Sequence, residues 1–478
     1  MAFSVALAMG LEPASAQSKN SSAPLALVGG TVVDVSDWGH SAKDLPNAVV
    51  VIREGRIVEV GPAAAISVPK GSRVLDCSGK FLIPGLIDGF AGMNSQGQAF
   101  ANLAMGVTTV VAASDRARGF VDTAASPSPH LYLVDSVGVT DNWSLLAHRP
   151  GWSAKLREGA RPVELSPEST KRQIADSARA GARVLYLGPH LTAANTQWIV
   201  ARAHQLGLVT YGVFAATPYA VAVNSGVDVL LHHSRYILGV IPDELQRPLV
   251  DDQAGAAAST AYDYAEHLPP ADLHLRNYAR FLASHHAALM PAFATSFAQL
   301  PGHRNLWRDP AARLIDPAHV YEPTDRATGE MNYALSTWTR HLPNSTLRWF
   351  TDSDRKKAEL SALRVWKVNE VLFSAYPHYL AASGAPYRAA LPGISLHVEL
   401  EMLVRLGMTP REALAAATNN YAEQFHWYEI GQISPGRHAD ILVLDADPTA
   451  YIWNARRIST VILDGQILDR EALLNGKK

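Results

Sequence analysis

Short apolar runs alternate with helix-like segments through the middle of this chain, and that alternation restricts its fold more than any other feature. The runs of strand length are Leu82 to Asp88, Thr108 to Ala112, His130 to Val134 and Val184 to Leu187, then Leu208 to Val213, Val229 to His232, Ala288 to Pro291 and Pro377 to Ser383. Strands separated by helical stretches predict a parallel sheet with crossover helices, closed into a (β/α)8 or TIM barrel of the α/β class. One helix start is marked strongly. Thr409-Pro410-Arg411-Glu412 puts a hydroxyl at the N-cap, proline at the first helical position and glutamate at the third, followed by Ala413 to Thr418.

The two ends read differently. Val49 to Arg53 and Arg56 to Val60 flank Glu54-Gly55, the signature of a tight hairpin, and Val461 to Leu468 folds about Asp464-Gly465 in the same way. Ala439 to Leu444 reads as a further strand. Each hairpin is too small to bury a core alone, so both ends are expected to join as one small β-sandwich. The predicted organisation is a leader over 1–16, a composite β-sandwich from 24–80 and 428–474, and a barrel over 81–427. The connections 240–286 and 300–357 are longer than simple barrel loops and are expected to lie over the barrel as helices and loops.

Composition excludes several classes. At 478 residues and 48% hydrophobic content the chain can bury a large core, and a net charge of -2 gives no electrostatic footprint for nucleic acid. No apolar run is long enough to span a bilayer. Ala2 to Leu11 is largely apolar and Ala14-Ser15-Ala16 precedes Gln17, a pattern that predicts a cleaved signal peptide and a periplasmic or secreted protein. Cys77 is the single cysteine. It cannot form an intrachain disulfide, and its strand-to-turn setting predicts a packed residue, not a nucleophile.

Several stretches in fixed order carry a family resemblance. They are Gly29 to Asp34, Pro84-Gly85-Leu86-Ile87-Asp88, Gly106 to Val110, Ala203-His204 through Gly207, Gly226 to His232, Ser395 to Leu400, Thr409 to Thr418 and Pro435 to Asp440. In that order the chain resembles the amidohydrolase superfamily, in the branch of imidazolonepropionases and Xaa-Pro dipeptidases. The resemblance implies a site for one or two divalent metals at the C-terminal mouth of the barrel. Its ligands would be a His-x-His pair on strand one, a carboxylated lysine or glutamate on strand four, histidines on strands five and six, and an aspartate on strand eight. Such metals generate hydroxide and polarise a carbonyl for attack.

Projected onto this chain, those positions hold Phe90 and Gly92, Tyr186, Gly212, His232 and Gly384. Only His232 has a lone pair of the expected kind, and a catalytic zinc needs about three protein ligands. The expectation is therefore a lost metal site and no cofactor. His232 and Tyr186 are candidate catalytic groups. Phe90, Gly92, Gly212, Gly384, Asp115, Asp135 and Arg235 are candidate pocket residues, the last three because they follow strands two, three and six. Asp88 reads as a structural carboxylate one layer below, and His204, His397 and Glu399 as structural.

Three functions follow from that pattern. The first is a secreted, non-catalytic amidohydrolase homologue that binds a small molecule or peptide, or that partners an active paralogue in a homo- or hetero-oligomer. The second is a metal-independent hydrolase or lyase for a small amide, peptide or cyclic C–N substrate, with His232 as acid or base and Tyr186 donating to an oxyanion. The third is ordinary metal-dependent hydrolysis. Whether the chain is an enzyme stays open at this stage.

Overall fold

A computed structural model of the chain describes residues 23–113, 126–138, 165–189, 191–214, 217–242, 263–264, 267–269, 271–320, 324–330 and 352–477. The leader over 1–16 lies outside the described residues, as does Asp115.

Local sequence sets the amino-terminal strands. They are β1 (Leu25–Val32), β2 (Leu45–Arg53), β3 (Arg56–Pro62), β4 (Arg73–Asp76) and β5 (Phe81–Pro84). Glu54 and Gly55 take φ values of 48° and 76°, the left-handed pair that lets a two-residue turn match the twist of its strands. Arg53 consequently pairs with Arg56. Val49 to Ile52 are all buried, so the middle of β2 is covered on both faces.

The barrel strands follow: β6 (Leu86–Ala91), β7 (Val107–Ala113), β8 (His130–Val137), β9 (Ala182–Leu187), β10 (Val209–Gly212), β11 (Val229–Leu231) and β12 (Ala288–Met290). They form one seven-stranded sheet in reverse sequence order from β12 to β6, with every pair parallel. Alternate residues face the lumen. Ile87, Val111, Val134, Val184, Tyr211, Val229, Leu231 and Met290 pack together there with Leu380 and Ala382, the period-two pattern of a filled barrel.

The chain closes with β13 (Ile441–Leu444), β14 (Ile458–Leu463) and β15 (Gln466–Leu468). β13 lies antiparallel against β5, which joins the two ends of the polypeptide into one eight-stranded sheet. That sheet forks at β1, whose first half pairs with β4 and whose end pairs with β5. Among the described residues no helix is long and apolar enough to cross a membrane.

Three strand expectations need correction. The run Leu82 to Asp88 is two strands in two different sheets. Gly85 is the break: its N–H donates to the Asp440 carbonyl at 2.8 Å, and a Cβ there would sit 2.0 Å from Thr108 Oγ1. The run Val229 to His232 loses its last residue, because His232 turns to φ 67° and begins a short helix over His233–Tyr236. Pro377 to Ser383 closes the barrel without becoming a regular strand. Leu289 donates to the His378 carbonyl and Leu380 to the Leu289 carbonyl, while Gly89 reaches the Ala381 carbonyl from the other side. Thr409 has the capping box expected of it, with its hydroxyl and the Glu412 carboxylate each satisfying the other's backbone.

Candidate functional site

The C-terminal ends of the barrel strands carry the candidate residues on three aromatic surfaces. The Phe90 ring lies 5.9 Å from the Tyr186 ring and 5.6 Å from the His232 ring, edge-on to the imidazole. The structure thus brings together Phe90 from strand one, Tyr186 from strand four and His232 from just beyond strand six. Arg235, one turn further on, sends its positive field to both Tyr186 and His232.

Electrostatics at this mouth disfavours charge. His232 keeps some access to solvent, yet surrounding protein desolvates its ring enough to lower its pKa to about 3, and the charges of Arg235 and Arg388 add to that effect. Tyr186 is pushed up to about 12 by burial, against the pull of Arg235. At neutral pH the pair is a neutral imidazole and an intact phenol. His233, by contrast, bonds through Nδ1 to the Pro291 carbonyl and through Nε2 to the Ser296 hydroxyl, both at 2.8 Å, and serves as a core strut.

The glycine positions behave differently from one another. Gly92 donates to the Ala385 carbonyl at 2.6 Å and is covered by Pro386, whose Cδ lies 3.0 Å from where a Cβ would stand. Gly384 has φ +67°, and a Cβ there would meet Thr295 at 2.4 Å. Gly212 sits between Tyr211 and Val213, both in the lumen. A side chain at 212 would leave the lumen and run into the Phe214 ring at 2.2 Å. Placing Gly212 at the pocket needs correction for that reason: strand alternation turns it away.

Asp135 also faces outward. Its carboxylate accepts from the Ser177 hydroxyl at 2.5 Å and from the Ser136 N–H at 2.8 Å, so it ties β8 to the helix over Pro167–Arg179 instead of reaching the mouth. Cys77 is fully buried and its thiol is pushed up to about 11 by desolvation, which leaves it inert.

Two carboxyl groups sit beneath the mouth. Asp88 is fully buried and accepts the Ser383 N–H at 2.8 Å, while its second oxygen has no partner. Burial raises its pKa to about 6. Glu399, from the helix over Ile394–Leu406, accepts the Ala294 N–H at 2.8 Å. Burial, opposed by these backbone bonds and reinforced by Asp88, raises it to about 8. Glu399 reads from sequence as structural only; its unusual affinity for a proton arises from packing. Backbone strain gathers on the same side, since His232, Ala292, Arg388 and Ala389 all take positive φ, and such strain concentrates where function lies.

Among the described residues one group of three could hold a metal ion: His130, His438 and Asp440. It lies at the opposite end of the barrel, where β8 begins. Sequence reading missed it because its members are separated by about 300 positions and carry no shared motif.

A closed parallel barrel with a two-ended sheet and its candidate residues at the C-terminal rim defines the architecture as an α/β barrel with a composite sheet. Residues 390–468 match the profile of the Amidohydrolase family. An adenine deaminase of Paracoccus denitrificans (strain Pd 1222) is 36% identical over 93 residues, which is 18% of this chain and 15% of that protein. Molinate hydrolase superposes over 94% of this chain and 95% of its own at a TM-score of 0.63, with 16% identity. A Xaa-Pro dipeptidase with bound methionine superposes over 94% of this chain and all of its own (100%) at a TM-score of 0.59, with 14% identity. The C-terminal segment thus carries the Amidohydrolase family profile, and the fold is shared with these solved structures.

Proposed function

We propose that this chain is a secreted amidohydrolase homologue whose barrel mouth has lost its metal site and binds a ligand without hydrolysing it. The observation that carries the reading is the donor set at the rim. A divalent ion there would need about three lone-pair ligands. Phe90 and the two glycines at 92 and 384 offer none, Tyr186 keeps its proton, and His232 is a single imidazole. Among the described residues no three histidine, cysteine or acidic groups meet at the mouth. Thr295 and Pro386 already occupy space beside Gly384 and Gly92, so the family's metal does not fit the residues present.

What remains suits a ligand with an apolar body and an anionic end. Phe90 and Tyr186 present ring faces, and Arg235 and Arg388 direct positive charge at the same point. A peptide or N-acylated amino acid with a free carboxylate has that chemistry. Metal-independent hydrolysis with His232 as base is weakened by its depressed basicity, because an effective general base titrates near the working pH. A chain of this kind would act alone or beside an active paralogue.

The test combines elemental analysis with an assay. Protein purified without chelator is expected to show no zinc that depends on His232, and no turnover of dipeptides or simple amides. Stoichiometric zinc that His232→Ala removes, together with hydrolysis, would overturn the reading.

A further inference from the structure

The base of the barrel holds a cluster that the mouth does not explain. His130 Nε2 lies 3.0 Å from Asp440 Oδ2 and 3.5 Å from Asp464 Oδ1. The His130 and His438 rings are 4.8 Å apart between centres, and His438 Nδ1 is 2.9 Å from Asp464 Oδ1. One ligand atom each from His130, His438 and Asp440 lies within 4.8 Å of the other two. His130 opens β8 of the barrel, while His438, Asp440 and Asp464 belong to the composite sheet and its last hairpin. The cluster therefore bridges the two parts of the fold.

Two polar atoms in it have no partner except each other. Asp440 is only 7% exposed. Its Oδ1 accepts the Asp464 N–H at 2.9 Å, but its Oδ2 has no hydrogen-bond partner. His130 Nε2 is buried and equally unsatisfied, although the two atoms are 3.0 Å apart. At that distance they form an ion pair when the imidazole is protonated. With the imidazole neutral, the same two atoms face one another with lone pairs, an arrangement that a shared cation relieves. A carboxylate oxygen and a neutral imidazole nitrogen both offer lone pairs, which a cation accepts from each.

We propose that His130, His438 and Asp440 bind one divalent transition-metal ion of the zinc class, clamping the base of the barrel to the composite sheet. Two imidazoles and a carboxylate are a borderline-soft set that suits zinc, whereas calcium and magnesium take oxygen ligands. Asp464 bonds to His438 and would hold its ring in place, the usual task of a carboxylate behind a ligating histidine. Together the two carboxylates offset the ion's two charges. Arg56 is the nearby opposing charge, and its guanidinium donates to the Gly436 carbonyl at 3.3 Å. A surface cleft of about 490 Å³ lined by Pro129, Leu131 and Asp464 lies beside the cluster. Strand β8 separates this site from the mouth by roughly 20 Å, at about 3.3 Å per residue, so the proposal is independent of what the mouth does.

The experiment uses the full chain, stripped with chelator and dialysed, then titrated with Zn²⁺ by calorimetry and melted with and without the ion. Uptake of one equivalent and a melting point several degrees higher are expected. His438→Ala, at a side chain with solvent access, is expected to weaken binding at least tenfold, and His130→Asn likewise. Co²⁺ supplies a readout that misfolding would not mimic: its visible absorption bands should appear in the parent and vanish in a His438→Ala variant of unchanged circular dichroism. No uptake by the parent, or equal uptake by both variants, would overturn the proposal.

Discussion

Glu399 shows how packing gives an ordinary residue an uncommon property. Its carboxyl group lies fully buried against the turn after β12, with one oxygen bonded to the Ala294 N–H and the other without a partner. Burial raises its pKa from the ordinary 4.5 to about 8. The sign follows directly. The folded state holds this proton more tightly than the unfolded chain, so the contribution is fully present below pH 4.5 and is lost as pH rises toward 8. Denaturant melts of the parent and of Glu399→Gln should therefore diverge with pH. The variant is expected to gain relative stability between pH 5 and 8 by up to about 1.4 kcal/mol per pH unit. A difference that stays flat across that range would show that the carboxyl group is already ionised. Sequence placed Glu399 in a family-like segment as a structural residue but could not show its burial, because neighbours from 294 and 88 decide it.

At the scale of elements, the strand that opens the barrel depends on a contact made far along the chain. Tyr421 is fully buried and donates its hydroxyl to the Ala381 carbonyl at 2.5 Å. That hydroxyl fills the space over Gly89, where a Cβ would lie 1.6 Å from it. Gly89 in turn donates to Ala381, so one tyrosine fastens β6 to the segment that closes the barrel. Gly89→Ala must displace the ring or the strand. The expected loss is about 1–3 kcal/mol, the usual cost of overpacking, read as a lower denaturation midpoint. An unchanged midpoint would mean the ring can move aside freely. Element positions were largely legible: hairpin turns, the Thr409 cap and most barrel strands match their sequence signals. The misreadings share a cause. Leu82 to Asp88 looks like one apolar strand because periodicity does not record which sheet each half joins. His232 looks like a strand residue because only its dihedrals reveal the turn.

For the molecule as a whole, the sheet built from both ends is the joint on which the fold depends. β13 covers β5 residue by residue, from Ile441 against Pro84 to Leu444 against Phe81. Removing 439–478 would leave one edge of β5 unpaired and uncover Leu82 and Ile83, both fully buried in the intact chain. Such a truncated chain is expected to lose its cooperative thermal transition and most of its soluble yield. A sharp melt in that variant would show that the barrel stands alone.

The amino-acid sequence by itself determined the barrel, the two-ended sheet and the identity of the residues at the rim, because these follow from periodicity, turn chemistry and motif order along the chain. Tertiary structure alone decided which of those residues meet. Phe90, Tyr186 and His232 converge, whereas Asp135 and Gly212 turn outward, since strand alternation and bulges set direction only after pairing. It also assembled His130, His438, Asp440 and Asp464 at the barrel base. Residues so far apart in the chain become neighbours only when β5 accepts β13, and no local pattern encodes that meeting.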